Sequence, residues 1–110
     1  MVQKRIILAN DLSGIGKVAL TPAIPIMACC QIETILLPTI LLSSHTGGFE
    51  KIATQELLDF TKQSLEQWKA LQLKTDALFI GYCRQMEQLK VLLDYHITQN
   101  PDAMLIVDPI

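Results

Sequence analysis

Four polar clusters stand where apolar runs end, and each holds side chains able to bind a ligand or do chemistry. They are Asn10-Asp11-Leu12-Ser13-Gly14-Ile15-Gly16, Ser43-Ser44-His45-Thr46-Gly47-Gly48, Gly81-Tyr82-Cys83 and Asp108-Pro109. In the first, Gly14 and Gly16 let backbone N–H groups approach a ligand at a helix N-terminus. Gly16-Lys17 invites a phosphate-loop reading, but that motif needs Gly five positions before its second Gly and Ser or Thr after the lysine. Asp11 and Val18 stand there instead. Gly14-Ile15-Gly16 lacks the third Gly of a dinucleotide fingerprint, Ala19 standing in its place. His45 and Thr46 offer hydrogen-bonding groups beside a Gly-Gly pair, and Tyr82 offers a ring that can stack on a flat ligand. Asp108 places a carboxylate just past an apolar run, suited to a cation or a magnesium-bound phosphate.

Residues so far apart in the chain need a frame that brings them to one rim. Short β-branched runs predict strands at Arg5–Ala9, Glu33–Leu37, Asp76–Tyr82 and Ala103–Val107. Between them, 3.6-residue periodicity predicts helices over Lys17–Gln31 (bent by Pro22 and Pro25), Thr54–Leu73 and Gln85–Thr98. In the second helix Leu57, Phe60, Ser64, Trp68 and Leu71 are expected inward with Leu58 and Leu65 beside them; in the third, Leu89, Leu92, Leu93 and His96. The order is β-α-β-α-β-α-β, and the strands are apolar throughout rather than alternating. Both sheet faces are therefore expected to be covered, which is the mark of a parallel, helix-flanked, Rossmann-like α/β sheet. Such sheets bind ligands outside the carboxyl ends of their strands, where all four clusters fall. The last strand has no helix after it and is expected to present an open sheet edge to a partner chain.

Composition narrows the function classes. The 110 residues are 50% hydrophobic and 18% charged, with net charge −2 and mean hydropathy +0.33. One α/β unit over residues 1–110 is the expectation, and disorder is excluded. No positive field gathers phosphate backbones, so nucleic acid is not an expected partner. Neither is a membrane: the apolar stretches Val18–Cys30 and Ile35–Leu42 are broken by prolines and fall short of the roughly 20 apolar residues a spanning helix needs. Cys29, Cys30 and Cys83 form neither an even disulfide set nor a metal-binding spacing, so reduced thiols in a cytoplasmic protein are expected. The low charged fraction points to apolar surface covered by something else, such as another copy in a homo-oligomer.

Taken together, these motifs resemble the vitamin-kinase branch of the ribokinase-like superfamily, closest to pyridoxal and pyridoxamine kinases, with hydroxymethylpyrimidine kinases a step further off. The resemblance rests on Asn10-Asp11-x-Ser13-Gly14-x-Gly16-Lys17, Ile32-Glu33-Thr34-x-x-Leu37-Pro38-Thr39, Leu42-Ser43-x-His45-Thr46-Gly47-Gly48-Phe49, Gly81-Tyr82 and Val107-Asp108-Pro109, in family order across nearly the whole chain. It implies an ATP- and Mg2+-dependent transfer of a phosphoryl group to the hydroxymethyl group of a B6 vitamer. By resemblance, Asn10 meets the polar edge of the ring, and Ser13 and Gly14 lie against it. Thr46 hydrogen-bonds the ring with His45 in support, Tyr82 stacks near it, and Asp108 belongs to the phosphate and metal side. After Gly81-Tyr82 the family commonly continues Leu-Gly, whereas Cys83-Arg84 follows here. The family's chains are more than twice as long, and their second half carries the anion hole, the catalytic Asp and most of the ATP site. The resemblance therefore implies a substrate-side half with no catalytic base of its own, expected to be inactive alone. The alternative from another class is a non-catalytic α/β module that binds a partner chain through its sheet edge.

Overall fold

The computed structural model describes residues 3–48 and 50–108; Phe49 and Pro109, both part of the motifs above, lie outside the described residues. Runs rich in Ile, Leu and Val extend as strands because branched side chains pack well on a pleated surface. The elements are β1 (Arg5–Ile15), α1 (Leu20–Cys29), β2 (Glu33–Ser44), β3 (Thr54–Glu56), α2 (Leu58–Ala70), β4 (Ala77–Ile80), α3 (Met86–Gln99) and β5 (Met104–Val107). They form one five-stranded sheet in the order β3-β2-β1-β4-β5, parallel except for the antiparallel β2–β3 pair.

The core lies on both sheet faces. Ile7, Ala9, Leu37, Leu78 and Ile80 pack with Leu65 of α2 and with Leu92 and Tyr95 of α3, while Ile6 and Leu8 pack with Leu20 of α1 on the other face. The helix-flanked α/β sheet expected from the sequence is the one observed.

Four details differ from expectation. First, β1 does not stop at Ala9, and β2 runs on past Leu37. The two strands pair out to Ile15 opposite Ser44, so the Asn10–Ile15 cluster is strand rather than a strand-to-helix loop. Second, α1 begins only at Leu20, after Gly16 and Ala19 take positive φ, and keeps Pro25 inside it. Third, Thr54–Glu56 joins the sheet instead of opening a helix: it pairs with Ile40–Leu42, which β2 would otherwise leave as an edge. The inward face of α2 is consequently Thr61 and Leu65, and Phe60 and Leu71 face solvent. Fourth, α3 buries Gln88 and Tyr95 along with Leu92 and His96, whereas Leu89 and Leu93 are only partly covered.

A bulge interrupts the β1–β2 ladder. Asn10 pairs with Pro38 and Leu12 with Leu41, so Thr39 and Ile40 of β2 together face Asp11 of β1. Proline has no N–H to give the ladder, which is why a strand tolerates it beside a bulge. Thr39 and Ile40, consecutive in sequence, are both fully buried. No helix among the described residues is long and apolar enough to cross a membrane.

Candidate functional site

Two strands, β4 and β5, end beside the middle of β1, which runs on past them with β2. The amide of Gly81 donates to Ala9 O and that of Asp108 to Ile80 O, so Asn10 of β1 forms a row with Gly81 and Asp108 at the carboxyl ends of β4 and β5. At about 4.8 Å between neighbouring strands, the backbones of Asn10 and Asp108 lie roughly 10 Å apart. This is the rim where open α/β sheets receive ligands.

Asn10 is the centre of the row. Its Oδ1 accepts from the amide of Tyr82 at 2.9 Å and from the amide of Asp11 at 2.9 Å. It can come that close only because Gly81 has no side chain: a Cβ there would sit 2.4 Å from Asn10 Cγ. The backbone of Tyr82 is held at its carbonyl too, since Thr39 Oγ1 donates to Tyr82 O. Tyr82 itself is half-buried, just past the end of β4.

Ser13 and Gly14 lie further along β1, within the extended ribbon. Ser13 is buried, and its hydroxyl donates to Asp11 Oδ2 at 3.3 Å. Gly14 passes so close to β2 that a Cβ would lie 2.7 Å from Ser43 O. His45 and Thr46 stand at the ribbon's far end. Ser44, the last residue of β2, is six positions past Pro38, about 20 Å measured along the strand at roughly 3.3 Å per residue. His45 is tied to β1 there, its amide donating to Ile15 O at 2.9 Å, and Thr46 is exposed. The structure thus joins Asn10, Tyr82 and Asp108 at one rim, and sets His45 and Thr46 at the end of a two-stranded ribbon rising from it.

Electrostatics around Tyr82 come from the next two residues. Burial, reinforced by the nearby Glu56 carboxylate, pushes the Cys83 thiol up to about 11. Arg84 Nε lies 3.4 Å from Glu56 Oε1, so an ion pair links this turn to β3. Asp108 is an exposed single carboxylate, and no three His, Cys, Asp or Glu side chains among the described residues gather to hold a metal ion. Nor does the start of α1 offer a phosphate cradle, since Val18 stands where a hydroxyl would be needed. The residues described here do not by themselves fit ATP or Mg2+.

Sequence reasoning missed Thr39 and Gln88. Thr39 was visible only as a motif letter after Leu37-Pro38, and Gln88 as a polar residue on a helix. Neither shows from one sequence that it is buried.

No protein-family model and no curated protein matches the chain. Solved structures do. Over 97% of its length the chain matches, with TM-score 0.89 and 31% identity, a Bacteroides thetaiotaomicron protein described as a phosphomethylpyrimidine kinase and crystallised with pyridoxal. Over 96% it matches pyridoxal kinase from Lactobacillus plantarum, with TM-score 0.87 and 31% identity. The pyridoxal kinase of Leishmania donovani in complex with ADP and pyridoxamine matches over 96% at TM-score 0.79 and 17% identity, a likeness of fold alone. The chain spans 37% of each of the first two structures and 39% of the third. The motifs and the coordinates agree: this chain has the ribokinase-like α/β fold of the pyridoxal and phosphomethylpyrimidine kinases, and covers about two fifths of it.

Proposed function

We propose that this chain is the substrate-side part of a kinase that phosphorylates the hydroxymethyl group of pyridoxal or pyridoxamine. The observation that carries the reading is the row Asn10–Gly81–Asp108 with the Tyr82 peptide clamped beside it, in a chain 31% identical to a protein crystallised with pyridoxal. Tyr82 supplies the stacking surface that a flat heteroaromatic ring needs. Asn10 spends its Oδ1 on the Tyr82 and Asp11 amides, which leaves its Nδ2 donors for the polar edge of the ring. Ser13 and Gly14 line the approach along β1. Thr46, with His45 in support, is the further hydrogen-bonding group for the ring; from the ribbon end, about 20 Å along β2 from Pro38, the two reach it by the ribbon bending over the rim. Asp108 faces the phosphate side. ATP with magnesium would supply the phosphoryl group and its charge neutralisation; the general base belongs to the part of the fold that these residues do not span.

A second reading draws on the exposed edge of β5: an α/β module whose role is to pair with another polypeptide through that strand. A third, the equivalent part of a hydroxymethylpyrimidine kinase, draws on how the Bacteroides protein is described. Calorimetric titration of the chain with pyridoxal and with hydroxymethylpyrimidine separates them. Pyridoxal is expected to bind the more tightly. Tyr82→Ala is expected to abolish binding and Thr46→Val to weaken it by roughly tenfold, in line with the ~1–3 kcal/mol of a lost buried hydrogen bond. Equal affinity in all three proteins would overturn the proposed site.

A further inference from the structure

The backbone of Tyr82 is held at both its N–H and its C=O, from two neighbouring strands, although it lies outside the ladder. Asn10 of β1 takes its N–H and Thr39 of β2 gives to its C=O. Thr39 in turn is held from the helix layer. Its own carbonyl accepts from Gln88 Nε2 of α3 at 3.0 Å and from the Leu57 amide at 3.3 Å. Gln88 Nε2 also donates to Thr61 Oγ1 of α2 at 3.0 Å, and the Thr61 hydroxyl donates to Leu57 O at 2.8 Å. Gln88, Thr39 and Thr61 are all at most 1% exposed.

Packing alone does not ask for this arrangement. Gln88 Oε1 is buried without a partner among the described residues, and a leucine would fill the same space without stranding an amide oxygen. A buried polar group kept at such a cost points to specificity of geometry rather than to stability. The bulge adds to the case: it turns Thr39 inward next to Ile40 and so aims its hydroxyl at Tyr82.

We infer that Thr39 and Gln88 are positioning residues: a buried unit that fixes the Tyr82 peptide, and with it the stacking ring, from α2 and α3. The ligand side of this inference rests on the proposed role of Tyr82; the positioning of Tyr82 does not. The two can be tested apart because the chain has only two tyrosines, Tyr82 and Tyr95. The full chain is labelled with 3-fluorotyrosine, and Tyr82→Phe assigns its two 19F resonances. In Thr39→Val the Tyr82 line is expected to shift and broaden while the Tyr95 line stays, and Thr39→Ser is expected to restore it. Gln88→Leu, which keeps the volume without the amide, is expected to disturb the Tyr82 line in the same way and serves if Thr39→Val does not fold. With pyridoxal as the probe, Thr39→Val should lose at least fivefold in affinity and Thr39→Ser less than twofold. A Tyr82 line at the wild-type position in every variant that folds would overturn the inference. A disturbed line with no pyridoxal binding by the wild type would uphold the positioning and overturn the ring reading.

Discussion

The imidazole of His45 lies directly over Gly16, so close that a Cβ on the glycine would stand 2.4 Å from His45 Cδ2. Gly16 also takes φ +104, a conformation that L side chains rarely adopt. Two independent penalties therefore meet at one residue. Gly16→Ala is expected to destabilise the fold by about 1–3 kcal/mol, measured by urea denaturation followed at Trp68. Adding His45→Ala should recover the share due to contact and leave the share due to φ. Full recovery would show that backbone conformation contributes nothing.

Gly81→Ala isolates the other close approach. The new methyl would displace the Asn10 side chain and cost its bond to the Tyr82 amide, about 1–3 kcal/mol for a polar group left unmet. Amide hydrogen exchange at Tyr82 is expected to accelerate while exchange in α1 stays unchanged. Unaltered protection at Tyr82 would mean that Asn10 does not hold that peptide.

Thiol chemistry should sort the three cysteines. Cys29 and Cys30 are exposed, whereas Cys83 is partly buried with its thiol pushed up to about 11 by burial and by Glu56. Only the thiolate attacks disulfide reagents. At pH 8, two thiols are expected to react rapidly and Cys83 slowly, its rate climbing toward pH 11. Glu56→Gln should bring that climb to lower pH. Because the folded state holds this proton more tightly, stability is expected to fall as the pH rises from the ordinary thiol value of 9.0 toward about 11. Rapid reaction of all three thiols at pH 8 would contradict the burial.

At the sheet's other end, β5 exposes Met104, Leu105, Ile106 and Val107, each between 38% and 64%. An apolar edge open on both faces is a template for another strand. Light scattering at micromolar concentration is expected to show species larger than 12.3 kDa, reduced to that size by Ile106→Lys. A monodisperse monomer before the substitution would show that the edge does not drive association.

The element order and the helix-flanked parallel sheet were legible in the sequence because β1, β2, β4 and β5 are apolar runs separated by helical periods. The ends of β1 and β2 were not. Asn10-Asp11 and Ser43-Ser44 look like loop residues, and only the pairing of one ribbon strand with the other makes them strand. Thr54–Glu56 misled for a related reason: its helical period is real, but β2 had an unpaired flank next to it. The rim row was foreseeable from topology, since every polar cluster followed an apolar run. What stayed hidden was the buried pair behind Tyr82, Thr39 bonded to its carbonyl and Gln88 bonded to Thr39. Burial of Thr39 and Gln88 depends on a bulge and on the angle at which α3 meets the sheet, and neither leaves a mark on residue type.

That bulge also sets where the chain can change length. β2 passes the Asn10–Leu12 stretch with one residue more than β1, and the ribbon beyond returns to step with its partner. Losing Ile40 would keep the two ribbon strands in step, with His45 still facing Gly16, but it would remove a fully buried side chain, its pairing with Glu56 of β3 and the aim of Thr39. Losing Asp11 instead would turn every later β1 side chain to the opposite face, since strand side chains alternate with a period of two. Loss of a residue at the bulge therefore preserves the ribbon's register on β2 and breaks it on β1.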